Sequence, residues 1–438
     1  MQNTVERTLT ALKGRCDQAE VFAYESESTP VDFEDSSLKT ITSRQSQGLA
    51  VRVVREGRIG FASTTDLRNP VRCVDMAVEN AAFGDEAKFE FPRTAAAADP
   101  AINDAQTAAL SAEELVDMGS VFVEALREED EQFRSLAHLN SARERVTIAN
   151  TNGLSAQYEA TRFELYVGGQ LVEGENILWL YEGYSLRKMG PSIEELTARV
   201  IDDLRIARHN VSVQSGTYPV LFSPGALIYL LMPVLACLDG KAVVRGLSPW
   251  KDRLGEEVLS PKLTLVDDGL MPYGPGTAPF DDEGTPAQRT VLVREGVIDA
   301  FLTDLNTAAA LGTSSTGNAV REGIGSPPIP RPANPVLTPG SRESQDILSD
   351  IELGLYVKDL MGAWAGNPYS GEVSGNISLG YLVRKGKPVG RVKNAMLSLN
   401  VFEALKHQLL ELSSDRDWSM QAFVPHALID GVSVSVKT

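Results

Sequence analysis

At 438 residues the chain is too long for one small core, so two or three domains are expected. Hydrophobic residues at 43% and charged residues at 23% are ordinary for a globular protein, and the formal net charge of −18 excludes nucleic-acid binding through a general basic surface. Cys16, Cys73 and Cys237 are few and far apart, which indicates unpaired thiols in a reducing compartment. No apolar run resembles a signal peptide or reaches the length of a transmembrane helix, so we expect a cytoplasmic protein without membrane contact.

The first half of the chain predicts an α+β domain over residues 1–212. Helical periodicity predicts an N-terminal helix that ends near Gly14 and a second helix over residues 71–84. Between them, period-two patterns predict four strands, over residues 20–26, 31–43, 49–55 and 58–63. Residues 87–110, which include the run 95–98, lack apolar periodicity and predict a linker or an exposed loop.

Two serines predict the starts of two further helices in this half. Each is followed three residues later by a glutamate, the capping-box arrangement; the pairs are Ser111 with Glu114 and Ser192 with Glu195. Between the two helices, Asn152-Gly153 predicts a tight hairpin turn. Strands are predicted around and beyond this turn, over residues 146–150, 154–161, 163–172 and 176–184. The pattern predicts antiparallel sheets with flanking helices.

Residues 213–438 predict a second domain, a curled or barrel-like sheet with a few helices. Ser223-Pro224 is typical of a helix start, and the uncharged run 226–238 predicts a buried helix kinked at Pro233. Two more helices are predicted, over residues 304–311 and 398–412. Short strands are predicted over residues 263–266, 289–293, 352–359, 375–383 and 428–436.

Histidine, cysteine and acidic side chains are the residue types that bind metal ions in proteins. His138, His209, His407 and His426 show no helical or hairpin ligand spacing, and no two cysteines are close, so no zinc site is expected in this chain. The run Asp281-Asp282-Glu283 has the chemistry to bind a divalent cation or to share a proton. Such a run is more often a solvated turn, and the sequence leaves both interpretations open.

A small-residue loop after the predicted helix 304–311 is a candidate peptide-binding site. It contains Ser315, Thr316, Gly317, Asn318 and Arg321. Gly317 permits close backbone approach, while the hydroxyls and the amide are able to satisfy a peptide's main-chain groups. Arg321 is able to hold a terminal carboxylate in a bidentate pair. The alternative is that the loop only caps the preceding helix.

Taken in order along the chain, these features resemble the TldD/PmbA family, also called the modulator-of-DNA-gyrase family. The matching text comprises Ala19-Glu20, the loop 240–257, the run FDDEGTPAQRTVLVREGVIDAFLTD, the loop STGNA and the segment SGEVSGNISLGYLVRKGKPVGRVKNAMLSLNVFEAL. These motifs span nearly all 438 residues. The resemblance implies a two-domain α+β fold, a dimer and a cytoplasmic role in proteolysis, with residues 213–438 corresponding to the metalloprotease domain.

The family has two branches, which differ in their zinc ligands. TldD-like members carry H-E-x-x-x-H on the helix that corresponds to residues 224–238, and a further cysteine ligand near the C-terminus. The motif positions fall on Leu231, Met232 and Ala236, which have no group that binds zinc or acts as a general base, and no cysteine follows Cys237. The chain therefore resembles the PmbA (TldE) branch. No catalytic residue and no cofactor are expected in it, and zinc is expected only in a TldD-like partner.

The resemblance favours a metal-free subunit of a TldD/TldE-type metalloprotease, which completes a chamber for extended peptides held by strand addition. Its expected partners are a TldD-like zinc protease subunit or a second copy of itself, and extended peptides. Two alternatives stay open: a non-catalytic homodimer that binds peptides or proteins, and an independent hydrolase that uses Asp281, Asp282 and Glu283.

Overall fold

The structure is a computed structural model that describes residues 1–94, 98–174, 176–363 and 365–436. It has an α+β architecture built on two large sheets, as the sequence predicts. Residues 95–97 of the predicted linker lie outside the described residues. Within the described ranges, no helix is long and apolar enough to cross a membrane.

The first half of the chain forms one antiparallel sheet, called the first sheet. Its strands are β1 (Gln18–Glu34), β2 (Ser37–Ile41), β3 (Arg44–Arg55), β4 (Arg58–Thr64), β5 (Arg134–Asn150), β6 (Ser155–Glu173) and β7 (Asn176–Leu186). They follow in the order β4-β3-β1-β5-β6-β7, and β2 pairs with the end of β1. The hairpin predicted at Asn152-Gly153 is confirmed, because β5 and β6 pair on either side of it.

Five helices belong to this half: α1 (Gln2–Leu12), α2 (Val71–Asn80), α3 (Ala105–Ala109), α4 (Ala112–Glu129) and α5 (Ile193–Ala207). Both predicted capping boxes are confirmed: in each, the serine side chain accepts from the backbone N–H of the glutamate, whose carboxylate accepts from the N–H of the serine. α1, α2, α4 and α5 pack on one face of the first sheet, where Val21 and Leu139 are fully buried.

Alternation of side chains gives the first sheet a second face, called the loop-covered face. It carries Glu20 and Phe22 of β1, and Arg52 of β3 lies directly opposite Glu20 in the register. Phe22 and Ile148 pack there against Phe280 from a loop of the second half of the chain. The candidate site lies on this face.

The second half of the chain contains fourteen strands: β8 (Asn210–Val211), β9 (Gly216–Phe222), β10 (Leu265–Asp268), β11 (Arg289–Arg294), β12 (Val297–Ile298), β13 (Ala319–Val320), β14 (Ile329–Pro330), β15 (Pro335–Leu337), β16 (Leu353–Met361), β17 (Glu372–Arg384), β18 (Lys387–Val392), β19 (Ala395–Asn400), β20 (Leu409–Ser419) and β21 (Ala422–Val436). β13 and β14 pair only with each other among the described strands. Each strand of the series β9-β16-β17-β19-β21 pairs with the next, and β21 pairs back with β9. The predicted barrel-like sheet is therefore a closed five-stranded ring, which has no edges of its own.

Five helices accompany this barrel: α6 (Pro224–Leu238), α7 (Gly240–Val244), α8 (Leu305–Leu311), α9 (Ser344–Ser349) and α10 (Val401–Glu403). The start predicted for α6 is confirmed, since the Ser223 hydroxyl accepts from the N–H of Ala226 and Pro224 occupies the first turn. Ten of its fifteen residues are buried in the core beside the barrel. Met232 is an exception at 39% exposed.

The helix predicted over residues 398–412 is present but shorter than predicted. β19 ends at Asn400, whose side-chain oxygen accepts from the N–H groups of Phe402 and Glu403 and caps a helical segment over residues 401–408, in which α10 continues as a π-helical stretch (Ala404–Gln408). The chain then enters β20 at Leu409, where it pairs with β21. The apolar residues that show helical spacing in the sequence are thus divided among a strand, a short helix and a second strand.

Several strands of the first sheet are longer than predicted. The pattern over residues 20–26 belongs to the 17-residue β1, and the patterns over 154–161 and 163–172 form the single strand β6. The middle of β1 is polar and lacks the alternating apolar residues that predict a strand. It is a strand because β3 and β5 pair with it on both sides and supply hydrogen-bond partners for its backbone. The predicted linker over residues 87–110 contains the short helix α3.

Candidate functional site

A cavity of about 560 Å³, called the central cavity, lies between the loop-covered face and loops of the second half of the chain. The first sheet contributes Phe22, Tyr24, Glu144, Val146, Tyr158 and Arg162 to its lining. Arg187, which follows β7, and the loops before β11 and around β13 complete it. Its volume is in the range of ordinary small-molecule pockets.

The predicted peptide-binding residues divide into two groups. Ser315 and Thr316 lie outside the lining of the central cavity, and Thr316 exchanges hydrogen bonds with Thr303 at 2.8 and 3.0 Å. Gly317, Asn318 and Arg321 line the cavity. The first group therefore anchors the loop to the segment before α8, and only the second group is placed to meet a ligand.

Gly317 and Asn318 hold the loop against the second half of the chain. Gly317 has a φ of 68°, and an added Cβ would lie 2.4 Å from the carbonyl oxygen of Pro286. The Asn318 amide donates to the Asp267 carboxylate at 2.6 Å and to the carbonyl of Arg331 at 3.0 Å. Burial raises the pKa of Asp267 to about 6, although the amide of Asn318 opposes this rise.

Arg321 belongs to a buried ion network that joins the two halves of the chain. Its guanidinium donates to Glu20 at 2.7 Å, and Glu20 also accepts from Arg52 at 3.0 Å. Arg52 contacts Glu283 as well, through a short hydrogen bond. All four side chains are at most 5% exposed. The Arg321 guanidinium, which the sequence assigns to a peptide carboxylate, thus binds a carboxylate of the protein itself. The centre of the Phe22 ring lies 4.8 Å from this guanidinium.

The acidic run before β11 is held by the fold. Asp281 accepts from the backbone N–H groups of Glu283, Thr285 and Ala319, and Glu283 accepts from Arg52 and the N–H of Leu305. Asp282 accepts from the N–H of Arg321 at 2.7 Å. The three carboxylates therefore turn toward different partners.

At the opposite end of the central cavity, two arginines share one carboxylate. Arg162 donates to Glu144 through Nε at 2.9 Å, and Arg187 donates to the same group through Nη1. Although burial alone would raise it, the charges of these arginines lower the pKa of Glu144 to about 2. These two guanidinium groups and Glu144 together carry one positive charge at neutral pH, and Glu164, which does not line the cavity, lies within electrostatic range of Arg162.

The positions that the resemblance assigns to zinc ligands lie on α6. Leu231 is fully buried in the core, whereas Met232 and Ala236 line a separate small cavity of about 190 Å³. Zinc in proteins is held by thiolate, imidazole or carboxylate groups, and none of these three side chains has one. Among the described residues, no group of three or more His, Cys, Asp or Glu side chains is arranged to hold a metal ion. The residues present do not fit a zinc ion.

Sequence reasoning missed Glu20, Arg52, Glu144, Arg162 and Arg187. Glu20 and Arg52 have apolar neighbours on their strands, Glu144 lies between Arg143 and Arg145, and Arg187 follows a strand, so none of these settings predicts a buried charge. The only signal for burial was the repeated occurrence of both charge signs at alternate positions of neighbouring strands. A single strand pattern does not reveal that loops from another part of the chain cover that face.

The fold combines an antiparallel sheet and a closed five-stranded barrel, and the α6 positions Leu231, Met232 and Ala236 carry none of the side chains that bind zinc. Models of the PmbA/TldA metallopeptidases match the chain in three parts: domain 1 over residues 19–81, the central domain over 106–208 and the C-terminal domain over 215–436. The chain belongs to this family.

Individual relatives agree with this membership. An uncharacterized protein of Methanocaldococcus jannaschii is 27% identical over 408 residues, covering 90% of this chain and 91% of that protein. A metalloprotease TldD homolog of Buchnera aphidicola is 32% identical over 198 residues, but the match covers only 44% of this chain and 41% of that protein. The crystal structure of TldE from Thermococcus kodakarensis superposes with a TM-score of 0.90 at 21% identity, covering 99% of this chain and all of that one. At this identity the superposition shows the shared fold.

Proposed function

We propose that this chain is a PmbA/TldE-like, metal-free subunit of a cytoplasmic TldD/TldE-type metalloprotease, which supports the proteolysis of extended peptides. The observation that carries the proposal is the composition of α6. Leu231, Met232 and Ala236, at the positions that the resemblance assigns to the zinc motif, offer no thiolate, imidazole or carboxylate to a zinc ion. Family membership without the ligands favours a supporting role over an independent enzyme.

The remaining metal-binding residue types do not replace the missing ligands. Cys237 is fully buried one residue beyond the motif, and burial raises the pKa of its thiol to about 12, so it stays protonated. His426 contacts Asp415 at 3.3 Å, and His138 contacts Asp32 at 2.6 Å in another part of the fold. The zinc that cleaves the peptide therefore belongs to the partner in this proposal.

The acidic run weighs against an independent hydrolase. Asp281 and Glu283 each accept two or more hydrogen bonds from the protein, and both are buried. A general base must reach the proton that it removes, which leaves a carboxylate of this kind poorly placed for catalysis. Asp282 lines the central cavity with one oxygen free of hydrogen bonds to the described chain, but the carboxylate oxygens of Asp281 and Glu283 are all engaged by other groups of the protein, so neither is placed to act as a second catalytic carboxylate. The homodimer that binds peptides without cleaving them is the remaining alternative.

The subunit role requires a stable contact with a TldD-like chain. An obligate interface of this kind is expected to bury more than about 2,000 Å² in total. Co-expression of the tagged chain with a zinc-bearing TldD-like protein from the same organism, followed by light scattering, tests this expectation. An equimolar complex supports the heterodimer, a dimer of this chain alone supports the homodimer, and a monomer that persists in the presence of the partner refutes both.

A further inference from the structure

The central cavity carries an unsatisfied cationic group at one end. The Arg187 side chain is 5% exposed, and its one hydrogen bond within the described chain is the bond from Nη1 to Glu144. Its buried Nε–H has no partner among the described residues. Nε is closed to solvent, but Nη2, which also makes no hydrogen bond within the described chain, is not, so a ligand that brings an acceptor oxygen reaches Arg187 through Nη2.

The neighbouring arginine strengthens this preference. Arg162 is 23% exposed and shares Glu144 with Arg187, so two guanidinium groups face one carboxylate. The excess positive charge lies in a partly enclosed cavity, where charge interactions are stronger than in water. The planar guanidinium group of arginine forms paired hydrogen bonds with a carboxylate or a phosphate group.

A carboxylate of the protein lies on a different part of the cavity wall. Asp282 accepts from the N–H of Arg321 through Oδ2, and its Oδ1 makes no hydrogen bond within the described part of the chain. Tyr158 lines the cavity between the charged groups, and burial followed by the charge of Asp282 raises the pKa of its hydroxyl. Tyr158 lies opposite Val146 in the register of β5 and β6, two residues along β5 from Glu144, which Arg162 and Arg187 share.

Apolar side chains occupy the wall between these ends. Phe22, Val146, Phe280 and Ile324 contribute to the lining, and the rings of Tyr158 and Phe280 pack edge to face at 5.2 Å. This surface favours an apolar side chain over a polar one.

We propose that the central cavity binds a short peptide with two free ends, whose α-carboxylate lies at Arg187 and Arg162, whose α-ammonium lies at Asp282, and whose apolar side chains lie against Phe22 and Phe280. A cavity of about 560 Å³ has room for a peptide of two or three residues. The site goes beyond the proposed subunit role, because binding by the isolated chain needs neither zinc nor a partner. Failure of peptide binding would leave the subunit role intact, and failure of assembly would leave this site intact.

The first test changes the ligand and leaves the protein unaltered. Isothermal titration of the purified chain at pH 7.5 compares leucyl-leucine with its C-terminal amide and with its N-acetyl derivative. Leucyl-leucine is expected to bind at one site per chain. Loss of either ligand charge is expected to weaken binding about 10- to 100-fold, the range for one charged hydrogen bond. Absence of saturable binding up to 10 mM, on the order of the weakest specific affinities, overturns the proposal.

The second test locates the carboxylate. Arg187→Met is expected to lower the affinity for leucyl-leucine about 10- to 100-fold and to change the affinity for its C-terminal amide less than about twofold. The matched control is Arg145→Gln on the same sheet, because Arg145 pairs with Glu159 at the surface and does not line the cavity. The control should bind both ligands as the unaltered chain does. Equal losses for acid and amide in Arg187→Met would overturn the assignment of the carboxylate to this end.

Discussion

The substitution Glu20→Gln tests whether the buried ion network joins the loops of the second half to the first sheet. Glu20 is fully buried and accepts from Arg52 at 3.0 Å and from Arg321 at 2.7 Å. Glutamine keeps the volume of the side chain and one acceptor oxygen, but it removes the charge and turns an NH2 group toward one of the two arginines. Arg52 then retains the Glu283 carboxylate, whereas the guanidinium of Arg321 retains no hydrogen bond to a carboxylate in the described chain.

The size of the effect follows from these contacts. A hydrogen bond to a charged group contributes about 1.5–3 kcal/mol, and removing one partner of a buried pair costs about 3–5 kcal/mol. We therefore expect the loops around β13 to open about 3 kcal/mol more easily, which corresponds to about 100-fold faster exchange of their amide protons. Hydrogen exchange by mass spectrometry on peptides spanning residues 317–326 measures this change.

The matched control is Glu27→Gln on the same strand. Glu27 is exposed and accepts one hydrogen bond of 3.3 Å from Gln45, so exchange over residues 317–326 should change less than about twofold. Equal exchange in Glu20→Gln and the unaltered chain would refute the role of this network. A loss of protection throughout the chain would show that the network stabilises the whole fold and not the loop contact.

Two further predictions concern the loop and the buried acids. Gly317→Ala should lower the melting temperature more than Gly312→Ala. Both glycines have a positive φ, which costs alanine about 1–2 kcal/mol, but only at Gly317 would the new Cβ lie 2.4 Å from the carbonyl oxygen of Pro286. Equal losses of melting temperature in the two variants would contradict the close contact. Burial raises the pKa of Asp267 and of Asp282 to about 6, above the unfolded value near 4, so the folded state takes up protons first as the pH falls. Each aspartate should therefore contribute about 1 kcal/mol more to the free energy of unfolding at pH 5 than at pH 7.5. Asp282→Asn should remove the contribution of Asp282 from the pH dependence of unfolding. An unchanged pH dependence in this variant would contradict the raised pKa of Asp282.

Local signals predicted the elements that depend on local chemistry. The two capping boxes, the Asn152-Gly153 turn and the Ser223-Pro224 helix start each depend on contacts within a few residues, and each is confirmed. The helix predicted over residues 398–412 is confined to residues 401–408, because Asn400 caps its start and β20 pairs with β21 from Leu409 onward. The pairing of β20 with β21 determines the structure of this segment, and the helical spacing of apolar residues in the sequence does not reveal that pairing.

In the candidate site, too, the sequence revealed local features but not the contacts between residues distant in the chain. The sequence singled out the loop from which Gly317, Asn318 and Arg321 line the central cavity. It did not reveal that Arg321 meets Glu20, because 301 residues separate them along the chain. The peptide-binding role of the loop stays a prediction.

Zinc content and peptide cleavage, measured together on the chain alone and in complex, test the metal-free subunit role. Elemental analysis and cleavage of an unstructured peptide are compared for the isolated chain, for a TldD-like partner from the same organism and for their complex. The composition of α6 predicts no stoichiometric zinc and no cleavage for the isolated chain, and both for the complex. About one zinc per isolated chain, or cleavage by the isolated chain, would contradict the metal-free role.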